Sequence, residues 1–225
     1  MLADTDVERL GAAAAQLGGS VHVVEADMTT RAGADKIVAE ARTAARLDRV
    51  ESTLAIQQLP VRYAMAVDSR DFDAWTGLFI EDVNCGRHGS GRAVLKQFIE
   101  RACTGFYRSV HYVCGHRIDF QDPDHATGQV YCRAEHEVGD RWIIMAICYF
   151  DSYERRDGEW FFVRRKERHW YATDLLEAPA GPGFYHWPGR EASPATLPAD
   201  FSSWSAFWRG PGQERLAEVT LFPTG

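Results

Sequence analysis

The pattern of hydrophobic and polar residues changes its period once along the chain, from helical spacing to alternation. Apolar residues from Val50 to Met65 recur at helical spacing and predict a helix, in which Pro60 is a possible kink. A short second helix is predicted over residues 72–79, and a third begins near Gly91. The middle of the chain therefore opens with three amphipathic helices.

Alternation with period two follows these helices. Turn-forming residues separate four such runs, which predict strands over residues 109–120, 127–138, 141–153 and 159–171. Helices followed by antiparallel strands define an α+β domain. We expect a cone-shaped domain, in which a curved antiparallel sheet wraps around the helices and encloses a cavity, and that cavity is the expected site.

The first 46 residues differ from this pattern. VERLGAAAAQLGG and AGADKIVAEARTA predict Ala-rich helices on either side of a β-branched run, SVHVVEAD. The segment weakly resembles a fragment of a short-chain dehydrogenase. The glycine-rich dinucleotide loop and the Tyr-x-x-x-Lys pair of that family are absent from the sequence. We interpret residues 1–46 as an extension that binds no nicotinamide cofactor.

The last 49 residues are rich in proline and tryptophan. Seven of the nine prolines lie here, together with Trp187, Trp204, Phe207 and Trp208. Such a segment is too aromatic for a disordered linker. The predicted organisation is thus an extension (1–46), a central domain (47–176) and a tail (177–225) that covers the pocket or a neighbouring subunit.

Composition excludes several classes of function. The net charge is −7 and the pI is near 5.6, without a block of like charges, so neither nucleic acid nor an anionic membrane is an expected partner. No run approaches the roughly 20 apolar residues of a membrane span, and the acidic start is unlike a signal peptide, so we expect a cytoplasmic protein. Five cysteines without a CxxC pair and histidines without metal-ligand spacing predict no disulfide, no metal and no organic cofactor.

Two positions have unusual surroundings. His136 shares the apolar face of its predicted strand, where a core histidine is the ordinary alternative to a functional one. Asp68 directly follows the apolar helix, an electrostatically unfavourable place for a carboxylate. Tyr63 lies five residues earlier, about 140° around an ideal helix. Asp68 and Tyr63 converge only if the helix ends near Asp68 and the backbone turns inward.

Three segments resemble one superfamily. AIQQLPVRYAMAVDSRDFDAWTGLF resembles the opening helix of SnoaL-like dehydratases and dehydrochlorinases, VHYVCGHRIDF their histidine-bearing strand, and FDSYERRDGEWFF their closing hairpin. Over about 125 residues the chain is similar to the SnoaL-like and nuclear transport factor 2-like superfamily. Similar members include scytalone dehydratase, hexachlorocyclohexane dehydrochlorinase, bile-acid 7α-dehydratase and γ-formaldehyde lyases, whose Pro- and Trp-rich tails the end of this chain resembles.

The resemblance implies catalytic roles for three residues. Asp68 matches the aspartate that orients a histidine, and His111 matches that histidine, a general acid or base. Tyr63 matches a tyrosine of the bile-acid enzyme, where the dehydrochlorinase has a lysine. Val67 replaces a substrate-binding tyrosine of scytalone dehydratase, so scytalone itself is not the expected substrate.

The remaining predicted site residues bind substrate. His136 matches the second histidine of scytalone dehydratase, Arg165 matches an arginine of the dehydrochlorinase, and Tyr149 stands near an asparagine of scytalone dehydratase. We expect Trp75 and Cys85 to complete the pocket.

The predicted function is that of a cofactor-independent lyase. It would eliminate water or a one-carbon fragment such as formaldehyde from a hydrophobic, hydroxylated and aromatic substrate. Alternatives on the same fold are an isomerase or cyclase, an epoxide hydrolase, which needs two carboxylates around a water, and a non-catalytic ligand-binding or assembly module. The resemblance also implies a homodimer or homotrimer.

Overall fold

A computed structural model describes residues 24–27, 29–177, 185–194, 196, 200–210 and 213. The chain forms two compact units. One contains the described residues up to Ala55 together with Asp157–Glu159, and the other contains Ile56–Arg156 and the described residues from Trp160 onward. All residues of the site described below belong to the second unit. The predicted boundaries at residues 46 and 176 stay predictions.

The first described helix, α1, spans Arg31–Ser69 and joins two segments that were predicted separately. The Ala-rich run 32–44 and the apolar run after it form one helix, with Pro60 inside it. The helix predicted over residues 7–19 lies outside the described residues. Residues 24–27, the described part of the predicted β-branched strand, adopt neither helix nor strand structure.

Two shorter helices follow, in agreement with the prediction. Helix α2 spans Phe72–Gly77, and the carboxylate of Asp71 caps it by accepting a hydrogen bond from the Ala74 N–H at 2.9 Å. Helix α3 spans Arg92–Cys103, after a 3₁₀ turn at Gly86–His88. None of the described helices combines the length and the apolar character that a membrane crossing requires.

A four-stranded antiparallel sheet completes the fold and confirms the predicted α+β class. Its strands are paired in chain order: β1 (Ser109–Phe120), β2 (His125–Val138), β3 (Arg141–Arg156) and β4 (Glu159–Asp174). The sheet is curved. The predicted strand positions are correct, and the structure lengthens the last three by two or more residues.

One irregularity changes which side chains point inward. The pairing of β1 with β2 shifts between Val113 and Gly115, as in a β-bulge. Uninterrupted alternation predicts that His111 and His116 point to opposite faces, and this is wrong. After the shift both are partly buried, and His116 Nε2 lies 3.0 Å from the Tyr153 hydroxyl.

Buried side chains form two hydrophobic clusters in the second unit. One joins α1 and α2 to the sheet through residues such as Leu59, Trp75, Phe79 and Phe162. The other lies on the inward faces of β2 and β3 and includes Ile147. Burial of this apolar surface, at about 25 cal/mol per Å², is the main force that holds the helices against the sheet.

Described parts of the tail pack on β4. Tyr185 forms isolated β-bridges with Ala172 and Ser193. A last helix, α4, spans Ser202–Arg209, and Trp204 on it lies 6.2 Å from Trp170, ring centroid to ring centroid. The tail therefore contributes structure next to the strand that carries part of the site.

Candidate active site

The C-terminus of α1 turns its last residues toward β1. The Asp71 N–H donates to the Ala66 carbonyl at 2.9 Å and the Arg70 N–H to the Val67 carbonyl at 3.1 Å, the paired bonds of a Schellman motif. Arg70 has a φ of 63°, a conformation that usually requires glycine. Its guanidinium offsets that strain, because it donates to the Val67 carbonyl at 2.8 Å and to the Ser109 hydroxyl at 3.2 Å. The helix end is thereby fixed to the start of β1.

This turn presents Asp68 to His111. Asp68 Oδ1 lies 2.7 Å from His111 Nδ1 and accepts a hydrogen bond from the Ser109 hydroxyl at 2.7 Å. Asp68 Oδ2 accepts one from the His111 backbone N–H at 2.9 Å. The helix does end next to Asp68, and Asp68 and His111 are in direct contact. Tyr63 lines the cavity and Asp68 does not, so the convergence of these two residues stays a prediction.

The same contacts determine the charge of Asp68. Burial disfavours its carboxylate, but the hydrogen bond and charge of His111, with the Ser109 hydroxyl, hold the pKa of Asp68 below its usual value. An ionised Asp68 favours the proton of His111 on Nδ1. The His111 side chain is only 8% exposed and lines a cavity. Nε2 is therefore the ring nitrogen available to a ligand.

His136 lies beside His111 on the adjacent strand, on the inward face that the alternation predicted. The two rings are 5.6 Å apart, and the rings of Phe106 and Trp187 approach His136 to 4.7 and 5.3 Å. Burial, with a smaller effect of the His111 charge, lowers the pKa of His136 to about 4. Its buried Nδ1 has no hydrogen-bond partner among the described residues. His136 is thus a neutral group whose polar atom a ligand can satisfy.

Aromatic side chains form one wall of the cavity. Tyr63 lies 5.3 Å from Trp75 and 6.0 Å from Tyr149, centroid to centroid, and all three line the cavity. Burial raises the pKa of both tyrosines well above the usual value. Their hydroxyls therefore stay protonated, so they can hold a polar group but are weak proton donors.

Arg165 differs from its predicted role. Its guanidinium lies 4.4 and 4.2 Å from the ring centroids of Tyr63 and Tyr149, is only 4% exposed, and is not among the cavity-lining residues. Nε and Nη2 donate to the two carboxylate oxygens of Asp151 at 2.9 and 2.7 Å. Because Asp151 engages its donors, Arg165 supports the aromatic wall and does not offer a free fork to substrate.

Cys85 is also outside the cavity. Its Sγ lies 3.7 Å from the Val83 carbonyl and 4.0 Å from the Gly91 carbonyl, in the connection between α2 and α3. An isolated β-bridge between Asn84 and Ser90 folds this connection back on itself. Trp75 lines the cavity and Cys85 does not, so the structure does not place Cys85 where the sequence analysis expected it.

The cavity has a volume of about 320 Å³ and is lined by further residues that are not among the predicted site residues. Glu167 on β4 lines it, as do Tyr185, Trp187 and Arg190 from the tail. Alternation does not find Glu167, because counting from the buried Trp160 and Phe162 would put Glu167 on the outward face of β4. No periodicity places the tail residues, since they lie outside helices and strands.

In the part of the chain that the structure describes, no three His, Cys, Asp or Glu side chains come together in a way that could hold a metal ion. The expectation of chemistry without metal or organic cofactor stays a prediction.

Residues 48–166, more than half of the chain, match the family model described as a SnoaL-like domain, and the chain therefore belongs to the SnoaL-like family. This confirms the resemblance proposed from the sequence, including its relation to the nuclear transport factor 2-like superfamily.

Particular relatives are named for elimination reactions. Gamma-hexachlorocyclohexane dehydrochlorinase of Sphingobium indicum is 29% identical over 136 residues, which cover 57% of this chain and 87% of that protein. The hexachlorocyclohexane dehydrochlorinase LinA-type3 of Novosphingobium barchaimii superposes with a TM-score of 0.54 at 26% identity, covering 59% of this chain and 96% of its own. A proposed scytalone dehydratase of Novosphingobium aromaticivorans superposes with a TM-score of 0.53 at 25% identity. The match covers 65% of this chain and 95% of that protein.

Proposed function

We propose that this protein is a cofactor-independent lyase that eliminates water, or water together with formaldehyde, from a hydrophobic hydroxylated substrate. The contact of 2.7 Å between Asp68 and His111, at the edge of a partly apolar cavity, is the observation that carries the proposal. The names of the relatives support the broader class, a lyase of the SnoaL type.

His111 acts as the base in this proposal. With its proton on Nδ1, its Nε2 lone pair takes a proton from a C–H next to an electron-withdrawing group, and Asp68 stabilises the imidazolium that forms. The C–H electron pair forms the new double bond as the neighbouring hydroxyl departs. The imidazolium returns its proton to the departing oxygen, which leaves as water and restores the neutral base.

Loss of a one-carbon fragment follows the same proton path. His111 then takes the proton of a hydroxymethyl O–H, the C–C bond to that carbon breaks, and formaldehyde and an alkene form as the neighbouring hydroxyl leaves as water. Tyr63 holds the departing oxygen by a hydrogen bond. The acid in this proposal is the His111 imidazolium, and burial, which raises the pKa of Tyr63, keeps the Tyr63 hydroxyl protonated.

The surroundings of Asp68 argue against two of the alternatives. An epoxide hydrolase needs two carboxylates around a water; Glu167 lines the cavity, but both oxygens of Asp68 are engaged by β1. A binding or assembly module predicts an Asp68 that points outward, whereas Asp68 contacts His111. An isomerase or cyclase would use the same His111 base, and the names of the relatives favour elimination over it.

Turnover with a panel of substrates tests the proposal. Hydroxylated diarylpropanes, steroids and aromatic polyketides are supplied without metal or nucleotide, and new ultraviolet conjugation and formaldehyde are measured. His111→Ala should lower kcat by about 10⁴-fold or more, while binding changes little, because the pocket walls supply most of the ground-state affinity.

His125→Ala is the matched control. His125 also pairs with a carboxylate, Asp122 at 3.0 Å, but is exposed at the first residue of β2. It should keep wild-type turnover. Unchanged turnover in His111→Ala would refute the mechanism.

A further inference from the structure

The cavity contains a second carboxylate–histidine pair, arranged in the reverse order. In the first pair the carboxylate of Asp68 lies behind and the ring of His111 lines the cavity. In the second, the carboxylate of Glu167 lines the cavity, and His169 Nε2–H donates to Glu167 Oε1. One pair therefore offers a nitrogen base to a ligand, and the other offers a carboxylate.

Glu167 lies on the same face of the second half of β4 as Arg165, and this face is directed inward. Arg165, on the same face, is 4% exposed, whereas Arg164 and Lys166 line a groove that belongs to the opposite face. The Glu167 side chain is 41% exposed even so, because it opens into the cavity. The carboxylate is thus accessible to a ligand in the cavity.

Contacts outside the cavity hold this carboxylate in place. The His169 backbone N–H donates to the Thr196 hydroxyl at 2.6 Å, and the ring of Tyr185 lies 5.0 Å from the His169 ring. Two tail residues therefore fix His169, and His169 fixes Glu167. A carboxylate held at one oxygen keeps the other, here Oε2, for a hydrogen bond from a ligand.

Glu167 is negatively charged at neutral pH. Burial disfavours the carboxylate, but the hydrogen bond from His169 lowers the pKa of Glu167 below its usual value. A partly desolvated carboxylate gains from a neutral O–H donor, gains nothing from an ether, and repels an anion.

We propose that Glu167 determines substrate specificity by accepting a hydrogen bond from a neutral hydroxyl group of the substrate. The inference deepens the proposed function and rests on it, since it concerns the same cavity. It assigns to this site neutral, hydroxyl-bearing aromatic compounds, and excludes compounds that carry a carboxylate at that position. Glu167 is a binding residue in this proposal and transfers no proton.

Calorimetry at pH 7 tests the proposal by measuring the affinity of the full chain for three ligands that share one scaffold. The probes are 4-(2-phenylethyl)phenol, 4-(2-phenylethyl)anisole and 4-(2-phenylethyl)benzoate. Wild type should bind the phenol about tenfold more tightly than the anisole, the size expected for a hydrogen bond to a charged group, and the benzoate most weakly. Glu167→Gln should lower the affinity for the phenol about tenfold and raise the affinity for the benzoate about tenfold. The affinity for the anisole should stay within about twofold of that of wild type.

Glu177→Gln is the matched control. Glu177 also pairs with a histidine, His186 at 3.4 Å, and is not among the residues that line the cavity. It should leave the affinity for all three ligands unchanged.

Two results would overturn the specificity role. One is equal affinity of wild type for the phenol and the anisole, which requires no variant and so does not depend on the folding of Glu167→Gln. The other is a uniform loss for all three ligands in Glu167→Gln, which indicates a structural role. Because binding is measured without turnover, a failed lyase assay with the expected binding pattern refutes only the elimination chemistry.

Discussion

Two carboxylates of the same unit each pair with a basic side chain, and the two pairs have different roles. Asp68 and His111 meet where α1 approaches β1, and His111 lines the cavity. Asp151 and Arg165 meet within the sheet, where their side chains are 0% and 4% exposed. The first pair leaves one nitrogen available to a ligand, whereas the second engages its donors internally. Access to the cavity, and not the presence of opposite charges, distinguishes a catalytic pair from a structural one.

The largest expected effect on this comparison comes from Asp68→Asn. The amide NH₂ would face His111 Nδ1 and favour the tautomer with its proton on Nε2, which cannot act as a base. We expect kcat to fall by about 10²–10⁴-fold, as in other His–Asp pairs. The melting temperature should change by only a few degrees, since Asp68 is partly exposed. Stopped assays and thermal melts measure both; a rate within about threefold of wild type would contradict the assignment.

The same substitution in the other pair, Asp151→Asn, should give the opposite result. It leaves the Arg165 guanidinium buried with a weakened partner and disturbs the bond from the Tyr153 hydroxyl to Asp151 Oδ2. Loss of one partner of a buried pair costs about 3–5 kcal/mol, or roughly 10 °C in melting temperature for a chain of this size. The folded fraction should keep its rate within about tenfold. A normal melting temperature with abolished turnover would reverse the roles of the two pairs.

A third test concerns the neutral histidine next to the catalytic pair. The charged groups around His136 are His111, Glu167, Asp68 and Arg70. Its pKa falls from 6.5 to about 4 on folding, so the unfolded state binds more protons between these values and stability falls as the pH falls below 6.5.

Protonation of His136 in the unfolded state lowers the free energy of unfolding by about 3 kcal/mol in total, and this full decrease is reached below pH 4. Chemical denaturation of wild type and His136→Gln across pH 4–7 measures it. In His136→Gln the free energy of unfolding should no longer show this decrease with falling pH. If wild type and variant show the same pH dependence, His136 is not buried in its neutral form.

Tyr63→Phe should have the smallest effect. Tyr63 packs on Trp75, Tyr149 and Arg165 through its ring, which phenylalanine retains. Loss of a hydrogen bond between neutral groups corresponds to about a fivefold to tenfold decrease in kcat/KM. A decrease of several thousandfold would instead identify the hydroxyl as the acid. Steady-state kinetics with a substrate from the panel decides between the two.

Local periodicity determined the α+β class, the positions of the four strands and the inward direction of His136, because alternation along a strand needs no knowledge of distant residues. The resemblance to known enzymes added Asp68 and His111 as partners. Their roles, and the cytoplasmic location and oligomeric state, stay predictions.

Only the tertiary structure decided which of these side chains meet. The register shift in β1 reversed the direction of His116, and no local pattern signals it. Asp151 took the donors of Arg165, a pairing that depends on how β3 and β4 lie side by side. Neither Glu167 nor Trp187 could be placed in the cavity by counting, since the inward face of β4 shifts between Phe162 and Arg165 and the tail has no period. Hydrophobic periodicity reports which face of an element is buried; only packing between elements fixes what that face touches.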